Sequence, residues 1–233
     1  MLQINSDLNT EAREEVDLLP WRDSPLPGVT RKMLERTGDE VARATTVVKY
    51  APGSSFTEHS HDKGEEFFVL EGTFSDESGD FSEDWYVRNP PGSKHAPSSS
   101  EGCTILVKLR QFHPQDNAYI RVNTKESDWK EFKNFKILPL HSFGTENTAL
   151  IEVTGKTDLW DHSFSRGVEV FLIGGSLTVN GHDLQPQTWF RSPKDQRMQC
   201  SSKGCKFLIK TGHLPSISKE EKILDWSQLL GTV

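Results

Sequence analysis

Apolar residues along this chain come in short runs, such as Thr45-Thr-Val-Val-Lys-Tyr50 and Glu66-Phe-Phe-Val-Leu-Glu-Gly72. Turn signals punctuate them: Ala51-Pro-Gly53, Glu71-Gly72 and Asn180-Gly181. Runs of this length between such breaks predict β-strands. Val179-Asn-Gly-His182 predicts a tight hairpin, because Asn-Gly accepts the positive φ angles of a two-residue turn. Helical periodicity is weak except near the ends. There Thr10–Leu18 and Ser218–Leu230 each read as a short helix, and Ser218 with Glu221 resembles a capping box. The polar, charged segment Thr124–Lys136 reads as the link between two halves.

The halves repeat one another at an offset of about 103 residues. Glu101-Gly-Cys-Thr-Ile-Leu-Val-Lys108 corresponds to Lys203-Gly-Cys-Lys-Phe-Leu-Ile-Lys210. Thr45–Tyr50 corresponds to Thr148–Val153, and Glu66–Gly72 to Glu169–Gly175. Duplication is the simplest account. It predicts an all-β chain of two packed barrels of the double-stranded kind, residues 1–123 and 124–233. The second barrel reads as a scaffold or dimer surface.

Composition narrows the function classes. The 233 residues carry a net charge of −7, with Lys and Arg scattered. A nucleic-acid face needs a basic patch, so no nucleic-acid partner is expected. No apolar run approaches the roughly 20 residues that span a bilayer, so no membrane role is expected. The N-terminus has no basic region followed by an apolar signal core. Cys103, Cys200 and Cys205 make an odd count without metal-ligand spacing. They read as reduced, buried thiols in a cytoplasmic protein.

The segment Gly53–Gly72 carries the chemistry. It holds His59-Ser-His61, then Glu65 after Asp62-Lys-Gly64. A second piece, Asn89-Pro-Pro-Gly-Ser-Lys-His95, adds a third imidazole. Strand side chains alternate faces, so His59 and His61 point the same way, about 7 Å apart along the strand. A turn at Asp62–Gly64 can bring Glu65 in from the next strand, with Gly64 supplying a permissive backbone. Three imidazoles and a carboxylate suit one divalent transition metal. Glu66 is a rival for the carboxylate role. Read through the repeat, His59 falls on His162, His61 on Phe164, Glu65 on Val168 and His95 near Arg197, whereas Glu66 survives as Glu169. The second copy is therefore expected to hold no metal, with His162 a satisfied polar residue, and Glu66 to be structural. Tyr86 and Arg110 read either as pocket residues or as barrel-end packing.

Gly53, His59, His61, Glu65 and Gly72 match every fixed position of the first cupin motif, G-x5-H-x-H-x3-E-x6-G. Pro90, Gly92 and His95 match P-x-G-x2-H of the second; Ser99 stands where an Asn is common and Asp84 where a Gly is. The chain resembles a bicupin, and over residues 20–112 it is similar to the cupin domain of ChrR-type anti-sigma factors. The resemblance implies two tandem double-stranded β-helix (cupin, jelly-roll) barrels. It implies a zinc ion held by His59, His61, Glu65 and His95, with iron, manganese or nickel as other occupants, and a homodimer. It also implies a regulatory role in transcription control, with a small molecule or an oxidant as input and a protein partner. The His-x3-Cys-x2-Cys run of the sigma-binding domain is not found ahead of the first barrel, which counts against direct anti-sigma action. Acetylacetone-cleaving dioxygenases are similar too. They make a metal-dependent dioxygenase acting on a small dicarbonyl compound the alternative reading.

Overall fold

The structure, a computed structural model, describes residues 1–164, 166–193 and 197–215; the side chains of 161–163 and 197–199 are not described. The expected helix at Ser218–Leu230 lies outside these residues. The chain divides into two compact units. One joins Met1–Ser6 to Val16–Ser127, and the other joins Asp7–Glu15 to the chain from Asp128 onward. Strands dominate both, and no α-helix occurs among the described residues. The fold class is therefore all-β, as the runs predict.

The duplication is written in the sheet order. In the first unit, strands Val29–Thr37, Arg43–Tyr50, Cys103–Leu109, Glu65–Asp76 and Trp85–Asn89 are neighbours in an 11-stranded sheet. In the second, Phe135–Phe143, Glu146–Val153, Arg197–Thr211, Val168–Val179 and Thr188–Ser192 follow the same order in a 9-stranded sheet. All these pairings are antiparallel. Alternation along the strands sends one set of side chains inward. Phe67, Val69, Phe74, Phe81, Val87, Ile105 and Val107 form the first core. Val170, Leu172, Val179, Phe190, Phe207 and Ile209 belong to the second.

Two local expectations change. Thr10–Leu18 is not an α-helix: Ala12–Glu15 is a strand paired with Thr188–Ser192, followed by a single 3-10 turn at Val16–Leu18. The Thr188–Ser192 strand would otherwise present unpaired backbone groups, and that demand overrides the weak helical propensity of the segment. Likewise, the expected linker is partly structured, because Lys130–Glu131 pairs with Phe135–Phe143. The hairpin at Asn180-Gly181 is present, with φ of 50° and 80°.

Gly72 shows why the motif ends on glycine. Its φ is +74°, and a Cβ there would lie 2.1 Å from the carbonyl oxygen of Gly102. Gly175 repeats the arrangement in the second barrel, with φ +82° and the Gly204 carbonyl oxygen at 2.3 Å. The left-handed conformation alone costs an L-residue about 1–2 kcal/mol, and the carbonyl overlap adds to it. Gly72→Ala is therefore expected to lower the thermal midpoint by several degrees, at about 2–4 °C per kcal/mol for a chain this size. Gly53→Ala is the control: its φ is +72°, but no atom lies within 4 Å, so its loss should be smaller. Equal shifts in a melting experiment would refute the steric argument.

Candidate metal centre

The histidines sit on a separate two-stranded ribbon of the first unit. His59–His61 pairs antiparallel with Ser93–His95, placing His95 opposite His59 and Ser93 opposite His61. The three imidazoles thus share one face. Their ring centroids are 4.9, 5.0 and 4.9 Å apart, close to an equilateral triangle. One nitrogen from each lies within 4.8 Å of the others. His61 Nε2 and His95 Nε2 are 3.0 Å apart.

Glu65 joins them from the adjoining sheet. The turn at Asp62–Gly64 is closed by the Gly64 amide donating to the His61 carbonyl at 3.2 Å. Gly64 has φ +77°, and the Phe112 ring occupies the space a Cβ would need. The turn delivers Glu65 Oε2 to 3.5 Å from both His61 Nε2 and His95 Nε2. Adjacent ligand atoms about 2.0–2.2 Å from one ion lie about 3–3.5 Å from each other. The His61, Glu65 and His95 atoms already have that separation. The donor set therefore fits a divalent transition metal.

The ring partners aim the nitrogens. A carbonyl or carboxylate oxygen can only accept, so the ring nitrogen facing it carries the proton. His59 Nδ1 donates to the Thr57 carbonyl at 3.2 Å, and His95 Nδ1 to Asp76 Oδ2 at 3.2 Å. Each bond leaves the Nε2 lone pair for the centre. Burial raises the Asp76 carboxyl, but hydrogen bonds from His95 and Ser78 outweigh it and hold it below its ordinary range. Burial also works to lower His95, yet the Asp76 bond and the nearby Glu65 charge raise it overall. His61 is lowered, chiefly by burial and, beyond the opposing pull of Glu65, by its neighbours His95 and His59. Metal binding displaces protons from the imidazoles, so affinity falls with acidity.

Glu66 faces the other side of the sheet. Its Oε2 accepts from Tyr86 Oη at 2.7 Å and from Arg88 at 2.5 Å. Arg88 also donates to Asp116 at 2.6 Å and lies 3.8 Å from the centre of the Phe112 ring. Tyr86 is thereby a buried structural residue, and Arg110 pairs with Asp62 on the turn. In the second barrel, Phe164 and Val168, at the positions of His61 and Glu65, are buried in the apolar core. The side chains of His162 and Arg197 are outside the described residues. Glu169 keeps the structural role of Glu66, accepting from Trp189 where Glu66 accepts from Tyr86.

Sequence reasoning missed three residues. Asp76 orients His95. Asn89 Nδ2 donates to Glu65 Oε2 at 3.1 Å, and Arg121 donates to Asn89 Oδ1 at 2.6 Å. The repeat held a signal for two of them: at the same offset Asp76 becomes Val179 and Asn89 becomes Ser192. They vanish together with the imidazole of His61 and the carboxylate of Glu65. The two motif departures are absorbed locally. Asp84 itself adopts the left-handed φ of 72° at the place of the motif glycine, and Ser99 Oγ donates to the Thr73 carbonyl at 2.6 Å.

The family model of the ChrR cupin-like domain matches residues 9–113. Over those residues the chain is similar to a ChrR cupin-like domain. Solved structures agree on the fold across both cupin barrels. A candidate dioxygenase from Nostoc punctiforme is similar at a TM-score of 0.74 and 13% identity, over 97% of this chain and 98% of that one. A variant of Bacillus subtilis oxalate decarboxylase is similar at 0.63 and 14%, over 95% and 81%. YhhW from Escherichia coli is similar at 0.65 and 11%, over 91% and 100%. No curated protein sequence matches. Among the described residues, no helix is long and apolar enough to cross a membrane. The three cysteines are buried and unpaired, and burial pushes the Cys103 thiol up to about 11, which leaves it unreactive.

Proposed function

We propose that the chain is a metal-binding bicupin with one divalent ion in its first barrel, held by His59, His61, Glu65 and His95. The observation that carries this reading is the triangle of three imidazoles with Glu65 beside two of them, His61 and His95, and with His59 and His95 each fixed by an oxygen acceptor at Nδ1. Zinc is the first choice of metal, from the ChrR likeness. The role is regulatory: a cytoplasmic homodimer that senses a small molecule or oxidant and passes the signal to a protein partner in transcription control. It takes neither nucleic acid nor membrane as partner, in keeping with the net charge of −7.

A second reading is a metal-dependent dioxygenase for a small dicarbonyl compound. It is favoured by the exposure of His59 beside buried His95, which places one side of the centre toward solvent, and by the likeness to the Nostoc protein. A bound divalent ion would supply Lewis acidity there. The chain's own residues would hold and orient it: Asp76 fixes His95, and Asn89 fixes Glu65.

Elemental analysis of untagged protein, purified without chelator, separates the readings. About one zinc per chain supports the regulatory reading, as expected for a closed four-ligand site. About one iron or manganese supports the oxygenase reading and calls for an oxygen-consumption screen. Protein that binds no divalent metal on reconstitution would overturn both.

A further inference from the structure

The carboxylate of the proposed centre is held by a strand that introduces the second repeat. Arg121 and Trp129 stand eight residues apart ahead of the second barrel, as Arg13 and Trp21 do ahead of the first. Each Trp ring lies 4.8 Å from a lysine on the opening long strand of the barrel it precedes, Trp21 from Lys32 and Trp129 from Lys136. The strands that carry the arginines go elsewhere. Ala12–Glu15 pairs with Thr188–Ser192 in the second unit, and Ile120–Asn123 pairs with Trp85–Asn89 in the first. Arg13 stands opposite Phe190 and Arg121 opposite Val87, two positions that correspond at the repeat offset of 103 residues. Each repeat thus lends its leading strand to the other unit's sheet, and that of the second repeat joins the sheet that carries Glu65.

On that sheet the pleat sets three side chains within reach of one another. Asn89 is paired directly across from Glu65, and Val87, two residues before it, is paired across from Arg121. Strand residues two apart share a face, so Arg121 meets Asn89 on a diagonal that a long side chain spans. Arg121 Nη2 donates to Asn89 Oδ1 at 2.6 Å, and Asn89 Nδ2 donates to Glu65 Oε2 at 3.1 Å. The guanidinium is itself anchored on the backbone, because Nη1 donates to the Arg88 and Ile120 carbonyls at 2.9 and 2.8 Å.

Donor chemistry gives this relay a direction. A guanidinium can only donate, so it claims the oxygen of the amide and leaves the NH2 group for the carboxylate. Without the guanidinium, nothing in the relay stops the amide from turning its oxygen toward Glu65, where two acceptors repel. The oxygen so held, Glu65 Oε2, is the one 3.5 Å from both His61 Nε2 and His95 Nε2. Asn89 and Glu65 are only 3% and 6% exposed, which leaves water little part in replacing the bond. The second copy shows the arginine without this duty. Val168 and Ser192 stand where Glu65 and Asn89 would be, and Arg13 is exposed, 3.9 Å from Glu15.

We propose that the second repeat completes the metal centre of the first barrel: Arg121, on its leading strand, is the positioning residue that holds Glu65 in place through Asn89. The inference rests on the metal reading given above and assigns that site a residue outside its ligand set. It gives the second repeat a part in the centre beyond that of a scaffold.

The test measures the cobalt(II) affinity of the full-length chain by competition with a chromophoric chelator, together with the visible spectrum of the bound ion. Arg121→Met should weaken binding about 10–100-fold, the range for residues that support a metal ligand. Its absorption per cobalt should fall toward that of Glu65→Gln, as water takes the place of the carboxylate oxygen. Arg121→Lys should recover part of the affinity. In a Glu65→Gln background, Arg121→Met should change affinity by less than about twofold, because residues that act through one contact are not additive. An equal fold-loss in both backgrounds would show a merely structural effect and overturn the assignment. Should Arg121→Met not fold, Asn89→Leu cuts the same relay with Arg121 in place and is read by the same two comparisons. Wild type that fails to load cobalt overturns the metal reading and this inference together, and wild-type affinity in Glu65→Gln removes Glu65 from the ligand set and this inference with it. Wild-type affinity in Arg121→Met, with Glu65→Gln impaired, overturns this inference alone.

Discussion

His61→Ala and His95→Ala should each abolish metal loading, leaving far less than one ion per folded chain after dialysis. Both rings contribute an Nε2 to the closest part of the cluster, and Glu65 lies 3.5 Å from each. Alanine removes a donor and opens the pocket to water in the same step. Asp76→Asn should be milder. It keeps the hydrogen bond to His95 Nδ1 but removes the charge that fixes the ring, and losses at such outer positions run to about 10–100-fold in affinity. Competition against a chromophoric chelator at fixed pH reads the series. The expected order is wild type, then Asp76→Asn, then the two histidine variants without measurable binding. Full metal content in His61→Ala would sink the ligand assignment. Binding by Asp76→Asn equal to wild type would show that the Asp76–His95 bond does no orienting.

The same order explains what could be read from the amino acids alone. The ligand spacing was legible because strand geometry is local: His-x-His fixes two side chains on one face, and Gly64 fixes the turn that follows. The repeat made the two-barrel architecture legible, because glycines such as Gly72 and Gly175 serve the same backbone contact in both copies. Asp76 and Arg121 were not read from the pattern. Each is brought in by barrel closure, which sets Asp76 beside His95 and Arg121 beside Asn89 across sequence separations that no local pattern encodes. The segment Thr10–Leu18 was misread for a related reason. Its pairing partner, Thr188–Ser192, lies in the other half of the sequence, so the strand is imposed by a distant edge rather than by its own composition.

Glu65 and Glu66 are adjacent carboxylates with opposite duties, and the structure predicts that they fail in opposite ways. Arg88 is completely buried between Glu66 and Asp116. Arg88→Met removes the cation between two buried carboxylates, and breaking such an arrangement typically costs about 3–5 kcal/mol. At about 2–4 °C per kcal/mol, the thermal midpoint should fall by roughly 6–20 °C. The protein that remains folded should still load metal, because this cluster lies on the face of the sheet away from the histidines. Glu65→Gln should do the reverse. The amide occupies the same space and leaves the midpoint of metal-free protein nearly unchanged, but it takes the charged oxygen from the centre and weakens metal binding. Melting curves of metal-free protein and metal content of the folded fraction, measured on both variants, separate the two duties. Metal loss in Arg88→Met without a fall in midpoint, together with normal metal content in Glu65→Gln, would assign the ligand role to Glu66. That outcome would also undo the argument from the repeat, in which Glu169 keeps the buried contact while Val168 replaces the ligand.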